Sequence, residues 1–273
     1  MSRDSDPLRI PVGVRQRCAP SPQDQMLLAA SRVGAIFDLD GTLLPEPSLE
    51  RRFFAQLRRN AAIPFTNYLR WSIEACRLLP RGLDAVRHGN KRYLTGINSN
   101  LACSQLESIS FFEEGIDRIV WHAKQNHEIV LLSGTLEPLA RLAAMALDRE
   151  LQSRGIRIHP WVCATQLAES RGCWTGRLIG EAVSGPAKAR AIENLARAAH
   201  LDLRHCHAYA NALLDRHLLC AVGHGHAVNP GRALAALANE KDWPIWYWHC
   251  EKQIPVRENA PFAAHISQLE EPA

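Results

Sequence analysis

The sequence predicts an α/β fold: a mostly parallel sheet packed between layers of helices, with an all-helical segment inserted after the first strand. Three observations carry this expectation. The run Val33-Gly34-Ala35-Ile36-Phe37 is apolar and stops abruptly at Asp38-Leu39-Asp40-Gly41-Thr42, the pattern of a buried strand opening into a tightly turning polar loop. Short apolar runs at 127–132, 161–165 and 203–210 then alternate with segments of helical character, as in α/β domains. Between residues 49 and 112 strand signals are nearly absent, so helices fill that interval.

Composition narrows the class. With 273 residues, 47% hydrophobic and 22% charged, the chain can bury a full core and fits one elaborated domain or two small ones. No apolar run is long enough for a transmembrane segment, and Met1-Ser2-Arg3-Asp4-Ser5-Asp6-Pro7 has acids where a secretory signal is basic and then apolar. The expectation is a cytoplasmic protein. A net charge of +4 is too mild to imply nucleic acid as a partner. The cysteines are scattered without a CxxC pair, which fits reduced thiols. His205-Cys206-His207 invites a zinc site, but alternating side chains on a strand diverge and Cys206 sits in an apolar run that reads as core, so none is expected there.

Each element follows from local pattern. Residues 1–30 predict a surface arm, because Pro, Ser, Arg and Asp mix there without a sustained period. Pro45-Glu46-Pro47 stiffens the exit from the acidic loop, and Ser48 is placed to cap a helix beginning at Leu49 and reaching Arg59. Helices follow over 65–79, 83–95 and 101–112. This block is rich in arginine (Arg51, Arg52, Arg58, Arg59, Arg70, Arg77, Arg81, Arg87, Arg92) with Lys91; most belong on solvated faces, with one or two placed to reach an acidic group of a substrate. A helix over 116–124 leads into strand 127–132, which ends at Ser133-Gly134-Thr135 ahead of a helix over 139–154.

A hydroxyl and backbone N–H groups at such a strand end can cradle phosphate, although Ser133 taken alone also reads as a helix-capping residue. Strand 161–165 precedes a small hairpin over 172–178. Gly185-Pro186-Ala187-Lys188 then opens an Ala-rich helix running to Ala199. Lys188 near the positive end of that helix makes better sense beside an anion than as a solvated cation. Strand 203–210 runs into Asn211-Ala212-Leu213-Leu214-Asp215; a helix over 232–240, an aromatic edge strand over 243–248 and a tail over 251–273 complete the chain.

In extended geometry Asp38 and Asp40 face one side while Leu39 returns to the core. Asp beside Gly also begins turns and caps helices, but two acids held this close repel each other, and such hard oxygen ligands suit Mg²⁺. Asp38-Leu39-Asp40-Gly41-Thr42-Leu43 resembles the first signature of the haloacid dehalogenase superfamily of phosphohydrolases. Ser133, Lys188 and the Asn211 to Asp215 segment match its second, third and fourth motifs in order, in the manner of the phosphoserine-phosphatase-like branch. The resemblance implies a Rossmann-like three-layer core over 31–45 and 115–250 with a helical cap over 46–114.

It further implies Mg²⁺-dependent hydrolysis of a small phosphorylated metabolite through an aspartyl-phosphate. Asp38 takes the role of nucleophile and metal ligand, and Asp40 that of acid–base group and carbonyl ligand. Leu39, Thr42, Ser133, Gly134 and Lys188 take the phosphate side, and Asn211 and Asp215 the metal side. Two departures matter. Asn211 stands where the family has a metal-binding acid, which lowers the charge facing the ion and leaves open a catalytically weakened member that binds a phosphorylated ligand or a protein partner. Pro47 stands where phosphoserine-selective members have Glu, with Glu46 adjacent, so phosphoserine loses its best support.

Overall fold

The computed structural model describes residues 32–99 and 109–249. Gly34–Phe37 (β1), Glu128–Leu136 (β2), Trp161–Thr165 (β3), His207–Ala210 (β6), His224–Val228 (β7) and Ile245–Trp246 (β8) form one sheet in the order β3-β2-β1-β6-β7-β8, every pairing parallel. Leu167–Ser170 (β4) and Cys173–Leu178 (β5) make a separate antiparallel hairpin. β1 is buried along its whole length because it lies at the centre of the sheet, covered on both faces.

Alternation along the central strands sorts two cores. Ala35, Phe37, Ile129, Leu131 and Tyr209 face one side, where they pack with Leu49, Phe53 and Leu57 of helix α1 (Leu49–Arg59), Ile116 and Ile119 of α4 (Glu113–Lys124), and Leu139, Ala143 and Leu147 of α5 (Glu137–Ser153). Ile36, Val130, Leu132, Ala208 and Ala210 face the other, against Ile192 and Ala196 of α6 (Pro186–Ala199), Leu218 and Leu219 of α7 (Arg216–Ala221), and Leu234 and Ala238 of α8 (Arg232–Glu240). This is a three-layer α/β/α arrangement. The Phe37 and Tyr209 rings stack across β1 and β6 with centroids 4.6 Å apart.

Between β1 and β2 the chain leaves the sheet through α1, α2 (Phe65–Leu78), α3 (Leu83–Gly89) and a short turn over Arg92–Leu94. Ser48 caps α1 as its position predicts, its hydroxyl accepting from Arg51 N–H at 3.3 Å. The helix expected over 83–95 instead stops at Gly89: the Asn90 amide turns back to donate to Trp71 O at 2.8 Å, and Lys91 is drawn inside. Buried Asn67 on α2 holds the following turn, donating to Tyr93 O at 3.1 Å and Thr95 O at 2.7 Å. The hairpin docks on the same segment, with Gly96 N–H on Trp174 O and Trp174 N–H on Ile97 O.

Other boundaries shift for identifiable reasons. β2 continues through Ser133-Gly134-Thr135 to Leu136, pairing with β3 across a register break, so these residues are a strand end rather than a loop. The hairpin expected over 172–178 is its second strand alone, and Leu167–Ser170, a half-exposed segment without strong alternation, is the first. The fourth predicted strand contracts to His207–Ala210, because residues 202–206 turn around Asp202. His224–Val228, a core strand, was not foreseen, because its histidines and glycine hide the apolar pattern. The aromatic edge strand is reduced to Ile245–Trp246. The expected N-terminal arm, most of the helix over 101–112 and the C-terminal tail lie outside the described residues; residues 109–112 are not helical.

Asn67→Ala removes the donor to two carbonyl acceptors, of which Tyr93 O is buried and Thr95 O partly so. It is expected to destabilise the protein by about 1–3 kcal/mol, read as a lower urea midpoint at unchanged m-value.

Candidate active site

The carboxyl ends of the parallel neighbours β1, β2 and β6 lie side by side, the position where open α/β sheets gather ligands. Asp38 follows β1 directly, and its N–H continues the ladder to Tyr209 O at 3.0 Å. The loop then folds tightly over Leu39, whose carbonyl accepts from the N–H groups of Thr42, Leu43 and Leu44. Gly41 sits at φ +78°, and a Cβ there would come within 2.1 Å of Asn211 Nδ2. Both backbone sign and space therefore demand glycine at that turn.

Lys188 lies at the centre. Its Nζ is 2.7 Å from Asp38 Oδ1 and 2.7 Å from Asp215 Oδ1, with all three side chains buried. The two carboxylates hold the ammonium firmly protonated, well above the ordinary lysine value, although burial opposes it. Asp38 itself is pushed up to about 6, chiefly by burial, with Lys188 pulling the other way and Asp215 adding repulsion. Thr42 Oγ1 lies 3.4 Å from Asp38 Oδ2 and donates to Asn211 Oδ1 at 3.3 Å. Asp38, Thr42, Lys188, Asn211 and Asp215 are thus one constellation.

Asp40 is turned differently. Its Oδ1 accepts the Leu49 N–H at 2.7 Å, tying the acidic loop to the start of α1. Burial pushes its carboxyl up to about 7, reinforced by the charges of Asp38, Glu46 and Glu50 and opposed by that hydrogen bond. Leu39 has its side chain in the core, while its N–H donates to the Asp38 carboxylate. Ser133 and Gly134 occupy the end of β2. Ser133 Oγ accepts Thr135 N–H at 3.2 Å, Thr165 Oγ1 donates to Gly134 O at 2.8 Å, and buried Thr135 Oγ1 has no partner among the described residues.

Sequence reasoning missed Glu50 and His88, which the insert brings to this side of the sheet, and named Lys91 only as one of the basic block. A Cβ at Gly134 would lie 3.8 Å from His88 Nδ1, so α3 reaches the end of β2. The imidazole is held below its usual value by burial and by the positive charge of Lys91. Lys91, buried, binds Glu50 Oε2 at 2.7 Å, and Tyr93 donates to Glu50 Oε1 at 2.7 Å. Of the basic block, the buried cation is this lysine; Arg52 is spent on Pro45 O and Pro47 O. No periodicity marks Glu50, His88 or Lys91, since their meeting is purely tertiary.

A family model for haloacid dehalogenase-like hydrolases matches residues 35–219. The chain belongs to that family. Within it, the chain falls in the phosphoserine-phosphatase-like branch, with its helical insert. A Mycobacterium tuberculosis protein named as a probable phosphatase is 28% identical over 268 residues, covering 92% of this chain and 88% of the relative. Among solved structures, a protein of unknown function from Bordetella pertussis Tohama I superposes with TM-score 0.60 at 20% identity, covering 80% of this chain and 99% of that one. A phosphoserine phosphatase carrying a phospho-aspartyl intermediate analogue gives TM-score 0.52 at 16% identity, over 80% and 93% of the two chains. These likenesses show the same fold. No helix among the described residues is long and apolar enough to cross a membrane.

Asp40 binds its proton more tightly folded than unfolded, so its share of stability is lost as pH rises from the ordinary carboxylate range toward 7. Asp40→Asn keeps the acceptor for Leu49 and removes the buried charge. In chelator-treated protein it is expected to raise stability at pH 8 by about 1–2 kcal/mol, with the gain shrinking at pH 5, as read by thermal denaturation at the two pH values.

Proposed function

We propose that this chain hydrolyses a small phosphomonoester with Mg²⁺ as cofactor, through an aspartyl-phosphate on Asp38. The observation that carries the proposal is the buried Lys188 bridge between Asp38 and Asp215, beside a carboxyl on Asp40 that is half protonated near neutrality. A nucleophilic carboxylate and a proton donor are thereby set apart by their surroundings, the division of labour that acid–base catalysis needs.

In the proposed reaction Asp38 attacks phosphorus and the bond to the ester oxygen breaks, while Asp40 gives that oxygen its proton. A water then attacks the aspartyl-phosphate, Asp40 takes the water's proton, and phosphate leaves with Asp38 regenerated. Lys188 holds Asp38 ionised and offsets charge on the phosphoryl oxygens. Ser133 and the N–H groups of Leu39 and Gly134 would bind those oxygens, with Thr42 fixing the loop, and the unpartnered Thr135 hydroxyl adds a further donor at the same strand end.

The residues fit a hard divalent cation. Asp38, Asp40 and Asp215 bring three carboxyl groups to the pocket and Lys188 one ammonium, so full ionisation leaves an excess of negative charge in a buried space. The donors are all oxygen: Asp38, the Asp40 carbonyl, Asn211 Oδ1 and Asp215. Bound there, Mg²⁺ would supply charge stabilisation to the phosphoryl group. Glu50, His88 and Lys91 over the pocket favour a polar leaving group, and the helical segment over 46–114 is proposed as the cap that selects it.

p-Nitrophenyl phosphate is expected to be cleaved with Mg²⁺ and not in chelator, and Asp38→Asn is expected to lower kcat at least about 1000-fold. Equal background rates in all samples would instead support the second reading, a weakened member that binds a phosphorylated ligand or a protein partner. Asn211 is the observation behind that reading. Its carbonyl already accepts from Thr42, and it brings no charge to the ion. Asn211→Asp is expected to lower the Mg²⁺ concentration for half-maximal activity by about tenfold, measured by metal titration.

A further inference from the structure

At the opposite edge of the sheet, where β2, β6 and β7 begin, histidines gather in a way the phosphatase chemistry does not use. His122 lies on α4 and is fully buried; His127 immediately precedes β2; His207 opens β6. One ring nitrogen from each falls within 4.8 Å of the others. His224 and His226 of β7 stack against His207, with ring centroids 4.6 and 5.4 Å away. The sequence triplet is split in the process. His205 pairs with Asp202, Cys206 enters the core beneath Gly34 N–H, and His207 alone joins the cluster.

We propose that His122, His127 and His207 form a binding site for one divalent transition-metal ion of the zinc class, at the sheet edge remote from the phosphatase pocket. His122 Nδ1 and His127 Nδ1 stand 2.8 Å apart, so one proton is shared between two facing nitrogens, and an ion in its place would take both lone pairs. Tetrahedral zinc with Zn–N of about 2.0–2.1 Å sets its nitrogens roughly 3.3–3.5 Å apart. Spacings between 2.8 and 4.8 Å reach that through small rotations of the rings.

The outer contacts orient the ligands as metal sites require. His122 Nε2 is engaged by Tyr209 OH at 2.9 Å, leaving Nδ1 for the ion. His207 Nδ1 faces His226 Nε2 at 3.1 Å, and Trp246 Nε1 donates to His226 Nδ1 at 3.3 Å, which places the His207 proton on Nε2 in the free chain; for His207 to offer Nε2 to the ion, both rings switch tautomer, His207 Nδ1–H donating to His226 Nε2 and the long Trp246 bond being given up. Imidazole nitrogens suit zinc and its neighbours and are poor ligands for hard Mg²⁺. The Arg118 guanidinium, 4.4 Å from the Trp246 ring centroid, is a cation near the cluster; its charge opposes a second cation there and is offset where a small anion completes the coordination. His127 and His207 are only half-buried, so an entry path exists.

The test uses the full chain stripped with chelator and titrated by calorimetry with Zn²⁺, then with Co²⁺ as a spectroscopic reporter. The expected result is one Zn²⁺ per chain at micromolar or lower concentration that persists in Asp38→Asn, apart from any ion taken by the oxygen ligands of the phosphatase pocket, a visible absorption band of tetrahedral Co²⁺, and a melting temperature raised by about 5 °C at zinc a hundredfold above Kd. His127→Ala and His207→Ala should each weaken binding at least about tenfold. Asp38→Asn and His205→Ala should leave it unchanged, which separates this site from the phosphatase pocket and from surface histidines. No bound zinc in the wild-type chain, binding undiminished in both cluster variants, or binding lost in Asp38→Asn would each overturn the proposal; if a cluster variant fails to fold, the cobalt spectrum of the wild-type chain decides.

Discussion

The structure depends on one buried ammonium. Lys188 joins the end of β1 to the turn after β6 through Asp38 and Asp215, and it does so from the first turn of α6, where the helix dipole disfavours a cation. The two acids more than offset that cost, and each is tolerable inside the protein only because the lysine is there. Removing one partner of such a network leaves an uncompensated buried charge, a loss of several kcal/mol in well-studied cases, roughly 3–5. The bridge thus fixes where three elements meet, independently of any reaction.

The same bridge leaves the pocket unbalanced. One ammonium faces two carboxyl groups, Asp40 adds a third acid on the neighbouring turn, and burial lifts Asp38 and Asp40 to about 6 and about 7. A protein built only for stability would not keep these acids together. The strain makes sense where a divalent cation and a phosphoryl group complete the charge pattern, with the insert's Glu50, His88 and Lys91 closing over them. Stability given up in the free chain would be recovered on binding such ligands.

A parallel sheet also explains why acids and histidines separate. All six strands run the same way, so their carboxyl ends, with Asp38 and the Asn211 to Asp215 turn, lie on one side of the sheet and their amino ends on the other. His207 and His224 open the adjacent strands β6 and β7 and stack at the strand spacing, while His127, ahead of β2 with β1 in between, reaches across to bring its ring 5.8 Å from His207, and α4 adds His122. Two chemically different polar clusters, one of oxygen and one of nitrogen, thereby share a sheet without touching.

How much of this was legible before folding depends on the range of the interaction. Asp38 with Asp40, the glycine at position 41, the helix opening at Pro186 and the cap at Ser48 are local patterns, and the sequence carries them because turn chemistry and strand alternation act over a few residues. Their common pocket follows from the order of motifs, since parallel strands send their ends to one side. The truncation of α3 at Gly89, the burial of Lys91 against Glu50, the extension of β2 through Thr135 and the meeting of His122, His127 and His207 were decided only in three dimensions. Each joins residues whose neighbours along the chain say nothing of their partners, and contacts made across packed layers leave no period in a sequence.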